Sequence, residues 1–125
     1  YFDAAENGFV SAYRHHPNND DAFDIKVEYQ AVPNLQDKTL LLIDPMLATG
    51  QSIVAVYNQL MTKGVPAEVH IAVIIAAPEG VAHLEALLPD SCHLWVATLD
   101  EQLNEKNYIV PGLGDAGDLA YGNKL

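Results

Sequence analysis

Three short apolar runs separated by two stretches of helical period constrain this 125-residue chain more than any other feature. Residues 40–43 read LLLI, residues 69–75 read VHIAVII and residues 94–97 read LWVA. The first is unbroken rather than alternating, as expected of a strand buried on both faces of a parallel sheet, and the second is of the same kind. Between the first two, Ile53, Val56, Tyr57, Leu60 and Met61 recur at helical spacing over residues 52–63, and Gly64 ends the pattern. Pro78, Glu79 and Gly80 then open a second helix over residues 81–88, stopped by Pro89. Strand, helix, strand, helix, strand is the order of a parallel α/β sheet with right-handed crossovers.

The flanks differ in style. Residues 9–13 form a short apolar-rich run, and "HHPNNDDAFD" after Arg14 reads as an exposed turn. Residues 25–31 alternate, with Ile25, Val27, Tyr29 and Ala31 on one face and Lys26, Glu28 and Gln30 on the other, the pattern of a half-exposed strand. Residues 9–33 are therefore expected to form a β-hairpin or arm beside a core at residues 39–99. The tail from Tyr108 is rich in glycine and lacks periodicity. The chain opens on Tyr1 in mid-pattern, and an N-terminal segment is expected to be missing from it.

Seventeen acids against six bases give a formal charge of -11, which argues against unaided binding to nucleic acid or an anionic membrane. It leaves a small anion open, because a local loop can oppose the global field. Cys92 stands alone, so no internal disulfide and no oxidising compartment is required. No apolar run approaches the roughly 20 residues needed to span a bilayer. These readings point to a soluble cytoplasmic protein.

The chemistry-bearing stretch is "TLLLIDPMLATGQS", residues 39–52. Ligands of open α/β sheets bind outside the carboxyl ends of the strands, and Asp44 is expected at such an end. The loop that follows is poor in side chains, so its backbone can approach a ligand closely, and it leads into unsatisfied N–H groups at a helix start. Those groups favour a phosphate, while Thr49 and Ser52 add hydroxyls. Asp44 is suited to accept hydrogen bonds from sugar hydroxyls, so a sugar phosphate would fit both ends. The same residues also suit an ordinary turn with an N-cap, and spacing alone leaves both readings open.

The residues nonetheless resemble a known family. "LLIDPMLATGQS" is similar to the 5-phosphoribosyl-1-diphosphate (PRPP) loop of uracil phosphoribosyltransferases, "AAPEG" at residues 76–80 fits a later segment, and "NYIVPGLGDAGDLAYG" at residues 107–122 looks like that family's uracil-binding hood. The resemblance runs collinearly through essentially the whole chain. It implies a Rossmann-like, parallel-sheet type I phosphoribosyltransferase core and the reaction of uracil with PRPP to give UMP and diphosphate, with Mg²⁺. Asp44 would contact the ribose hydroxyls, and Pro45, Met46, Leu47, Ala48, Thr49, Gly50, Gln51 and Ser52 would form the PRPP loop, the last five cradling the 5-phosphate. Ile109, Gly114 and Ala116 would read uracil through backbone groups, and Asp115 would help hold the PRPP side. Arg14 fits a family arginine that contacts PRPP. Asp44 and Asp115 are thus the implied catalytic acids, with no direct protein ligand to the metal. The resemblance further implies a homodimer and, in parts of the family, activation by GTP.

Two departures matter. Gln51 stands where the family usually has a second glycine; outward placement of its side chain would be tolerated. A VPILRAGL-like strand and loop, expected to bind the diphosphate, is absent. Its absence should leave an exposed sheet edge and apolar surface, with the isolated chain weakly active or inactive. A non-catalytic nucleotide-sensing module of the same fold is the competing reading. An unrelated nucleotide-binding fold such as a methyltransferase lacks support, since no glycine-rich loop for a methyl donor is present. Other residues carry blander expectations. His15 and His16 belong to a solvated turn, and His70, His83 and His93 share no motif. Cys92 and Trp95 are expected in the core. Asp118 stands behind Asp115 or simply in a turn, and the strand at residues 25–31 is either a plain edge or a subunit contact.

Overall fold

The computed structural model describes residues 2–15 and 24–122. Its elements are β1 (Phe9–His15), β2 (Asp24–Ala31), β3 (Thr39–Leu47), α1 (Gln51–Leu60), a 3-10 turn (Met61–Lys63), β4 (Glu68–Ala76), α2 (Pro78–Leu87), β5 (Cys92–Leu99), β6 (Gln102–Leu103), β7 (Ile109–Val110) and α3 (Ala116–Tyr121). Strands β3, β4 and β5 form a parallel sheet in that order, and β1 pairs antiparallel with β2 as the expected arm. The turn at residues 16–23 lies outside the described residues, as do the side chains of Arg14, His15 and Asp118.

Asp44 departs from the expected position. Strand β3 does not stop there but pairs on with β4, through Met46 opposite Ile75 and Leu47 opposite Ala76. Pro45 reads as a strand breaker because it has no N–H to donate. Here β3 is an edge strand whose described partner is β4 alone, so the missing donor costs no ladder bond. Asp44 therefore sits within the strand, opposite Val73 and on the face that meets the helices.

One face of the sheet is well covered. Ile71, Val73 and Val69 of β4 pack with Leu47, Ile53 of α1 and Leu84 of α2, all buried. The far side of α1 offers Val56 and Leu60 to Leu35 and to Val10, Ala12 and Val27 of the arm, so α1 is held between sheet and arm. Burying that apolar stripe on two sides is what stabilises a ten-residue helix whose ends carry no side-chain cap.

The opposite face is bare, contrary to the reading of β3 as buried on both sides. Ile43 is 72% exposed, Ile74 66% and Trp95 60%, with Leu41 beside them. Trp95 is thus not a core residue: its indole N–H donates to His70 Nδ1 at 3.1 Å, and the His70 and His93 rings stack at 5.0 Å. This matches the exposed apolar surface expected of the sequence. The asymmetry sets a direct contrast. Ile71→Ala, at a site 1% exposed, should destabilise the chain by about 2–5 kcal/mol. Ile74→Ala, on the bare face of the same strand, should cost no more than about 1 kcal/mol. Urea unfolding of the two variants checks this, and equal losses would show that the bare face is packed.

Candidate functional site

The carboxyl ends of β3 and β4 are tied together before the loops leave them. Ala77 N–H donates to the Leu47 carbonyl at 2.9 Å. From Leu47, which is fully buried, the chain turns through Ala48, Thr49 and Gly50 into α1. Gly50 occupies the N-cap with φ of 80°, a left-handed conformation that disfavours any side chain. It offers no side-chain acceptor to the helix, the first turn of α1 holds no acid, and the bond from Gln51 N–H to Thr49 Oγ1 is long at 3.5 Å. The first-turn donors are consequently available to an external anion. Gln51 is the first helical residue and its side chain is exposed, the outward placement expected of it.

Asp44 lies under this helix start, partly buried. Its Oδ1 accepts from Met46 N–H at 2.9 Å. Burial pushes its carboxyl above the usual carboxylate range, and the Met46 N–H offsets only part of that rise. A partly buried carboxylate of this kind is suited to accept hydrogen bonds from hydroxyl groups.

The tail reaches the same place from 70 residues away. Its glycine-rich, aperiodic sequence holds short elements: β6 and β7 pair as a small hairpin, and α3 follows. Ile109 and Gly114 exchange two backbone bonds, at 3.3 Å and 2.8 Å, and the Ile109 side chain is fully buried against Ile75 and Ala77. Ala116 N–H points at Met46 Sδ, 3.3 Å away. A thioether is a weak acceptor, so this donor is held but poorly satisfied. Asp115 precedes α3, its carboxylate leaning over the position of Gly117.

One cavity of about 280 Å³ unites these parts, lined by Asp44, Pro45, Met46, Leu47, Ala48, Thr49, Gly50, Ser52, Ile53, Ala116 and Gly117. The structure thus brings the PRPP-loop residues together with Ala116, leaving Gln51, Ile109, Gly114 and Asp115 outside the lining. The Ile109 and Gly114 N–H groups are spent on each other, which leaves Ala116 as the tail's better placed donor. Gly117 and Ile53 also line the cavity and were not singled out from the sequence; their signal was position, each one residue past a named residue, Ala116 and Ser52. Among the described residues no three His, Cys, Asp or Glu side chains gather as a metal cage.

The raised Asp44 carboxyl has a consequence for stability. A folded-state pKa above the unfolded value means that stability present at low pH is lost as pH rises through the folded pKa. Asp44→Asn keeps an acceptor for Met46 N–H and sheds the buried charge, so it should raise Tm at pH 7. The gap to the parent should close as pH falls below the carboxylate range; thermal melts across pH 3 to 7 measure it, and a lower Tm at pH 7 would contradict it.

Comparison with known proteins agrees with the geometry. The family model described as uracil phosphoribosyltransferase matches residues 5–123. A uracil phosphoribosyltransferase from Porphyromonas gingivalis is 52% identical over all of this chain and 57% of its own length. One from Thermococcus gammatolerans is 39% identical over 99% of this chain and 54% of its own. The solved structure of the AQ2163 protein from Aquifex aeolicus superposes with a TM-score of 0.80 at 35% identity, covering 92% of this chain and 52% of that one. The chain therefore spans little more than half the length of the relatives it matches. By the span of the family match and the shared fold, this chain belongs to the uracil phosphoribosyltransferase family.

Proposed function

We propose that the chain carries the ribose 5-phosphate and uracil subsites of a uracil phosphoribosyltransferase, which converts uracil and PRPP to UMP and diphosphate in pyrimidine salvage. The observation that carries this reading is the single cavity in which Asp44, the residue 45–53 loop and the start of α3 meet. In it the 5-phosphate takes the first-turn donors of α1 with the hydroxyls of Thr49 and Ser52. Asp44 accepts from the ribose hydroxyls, and the base lies toward Ala116. Transfer then proceeds by displacement at the anomeric carbon, with the protein positioning both reactants and stabilising charge.

Mg²⁺ usually takes one or two carboxylates together with substrate phosphates. The carboxylates near the loop, Asp44 and Asp115, do not form a cage, so the ion is proposed to arrive on the diphosphate and through water. Among the described residues the lining holds no Lys or Arg, so the phosphate donors found there are backbone N–H groups and hydroxyls. Binding by this chain alone should accordingly be weak, of about millimolar Kd. The arm, where exposed Phe9 and Tyr29 rings sit 6.2 Å apart, is proposed as a contact in a homodimer.

Calorimetric titration tests the reading. Ribose 5-phosphate and uracil should each bind, and Asp44→Asn should weaken ribose 5-phosphate by about tenfold while sparing uracil. UMP synthesis should be negligible with the chain alone. It should appear when the part of the Porphyromonas gingivalis relative that this chain does not match is co-expressed with it. Turnover by the isolated chain at the rate of a whole relative would overturn the division of labour. Absence of any binding would overturn the subsites.

A further inference from the structure

The residues that lead into and open α2 touch the loop half of the cavity directly and are tied to its tail half through β6 and β7, without lining it. On the loop side, Ala77 N–H holds the Leu47 carbonyl. A Cβ added to Gly80 would stand 2.2 Å from the Ala48 oxygen and 3.0 Å from Leu47 Cγ. The approach is mutual: a Cβ on Gly50 would lie 3.1 Å from the Gly80 oxygen. The loop backbone thus rests on the first turn of α2 with no space for a side chain between them. On the tail side, Glu79 Oε1 accepts from Leu103 N–H at 3.0 Å. Leu103 pairs with Ile109, Ile109 with Gly114, and two residues later comes Ala116 in the cavity wall.

We propose that Glu79 and Gly80 are positioning residues that fix the distance between the phosphate loop and the base-reading tail. Neither lines the cavity; each acts through backbone it touches, Gly80 on Ala48 and Glu79 on Leu103. Glu79 also has a plainer use, as an acid in the first turn of α2 where the helix dipole favours it. The two roles differ in what they require. Dipole stabilisation needs the charge, whereas anchoring Leu103 needs only an oxygen acceptor, which glutamine retains. The ligand names used in the test rest on the proposed function, but the coupling itself does not.

Hydrogen exchange by mass spectrometry and calorimetry on the full chain test this together, with Glu79→Ala, Glu79→Gln and Gly80→Ala. Glu85→Gly, on the exposed face of α2, serves as a helix-weakening control. Glu79→Ala should speed exchange in residues 102–116 by about tenfold, leave residues 47–53 unchanged and weaken uracil binding alone. Glu79→Gln should restore both readouts. Gly80→Ala should act on residues 47–53 and on ribose 5-phosphate. Glu85→Gly should lower Tm and move neither loop selectively. The proposal is overturned if Glu79→Gln fails as fully as Glu79→Ala, if Glu85→Gly reproduces their pattern, or if no segment responds. If the parent chain binds neither ligand, the proposed function falls, while the exchange comparison still decides the coupling.

Discussion

The hydrogen bond from Ala77 N–H to the Leu47 carbonyl, which continues the pairing of β3 with β4, is the constraint on which the site depends. It ends two parallel strands at one level and releases two chains from one point. One becomes the loop into α1; the other becomes the first turn of α2. Because both leave together, Gly80 meets Ala48 and Gly50 meets Gly80 at distances that glycine alone permits. The glycine of "ATG" is therefore set by the close approach of α2 as well as by its own left-handed backbone.

The order of the core was legible because buried strands and amphipathic helices leave different periods. What the periods could not give was coverage. The runs at residues 40–43 and 69–75 look doubly buried, yet Ile43 and Ile74 are exposed, because apolarity records a strand's preference and not whether anything covers it. The alignment of His70 with His93 appeared only with the register of β4 and β5. Asp44 looks like a strand end because the apolar run stops at Ile43, yet β3 continues past Pro45, which an edge strand tolerates. In the tail, two-residue strands and a six-residue helix are too short to show any period.

The site was legible in a different way. Residue types at residues 44–52 gave a sugar-phosphate geometry but left an ordinary capped turn equally open, and only the resemblance of the tail joined the two. The structure adds a physical reason for the joining: Ala116 N–H lies on Met46 Sδ, at the end of the strand that also holds Asp44. Ile109 and Gly114 spend their N–H groups on each other and shape the hairpin, while Ala116 keeps a donor against a weak acceptor.

The central claim is that the loop and the tail form one binding site. Titration with uridine 5′-monophosphate, followed by backbone amide shifts, tests it most directly, since this ligand carries phosphate, ribose and base at once. The account expects the amides of Thr49, Gly50, Ser52 and Ile53 and those of Ala116 and Gly117 to move together with a single Kd. Shifts confined to one of the two groups, or two unrelated affinities, would contradict it.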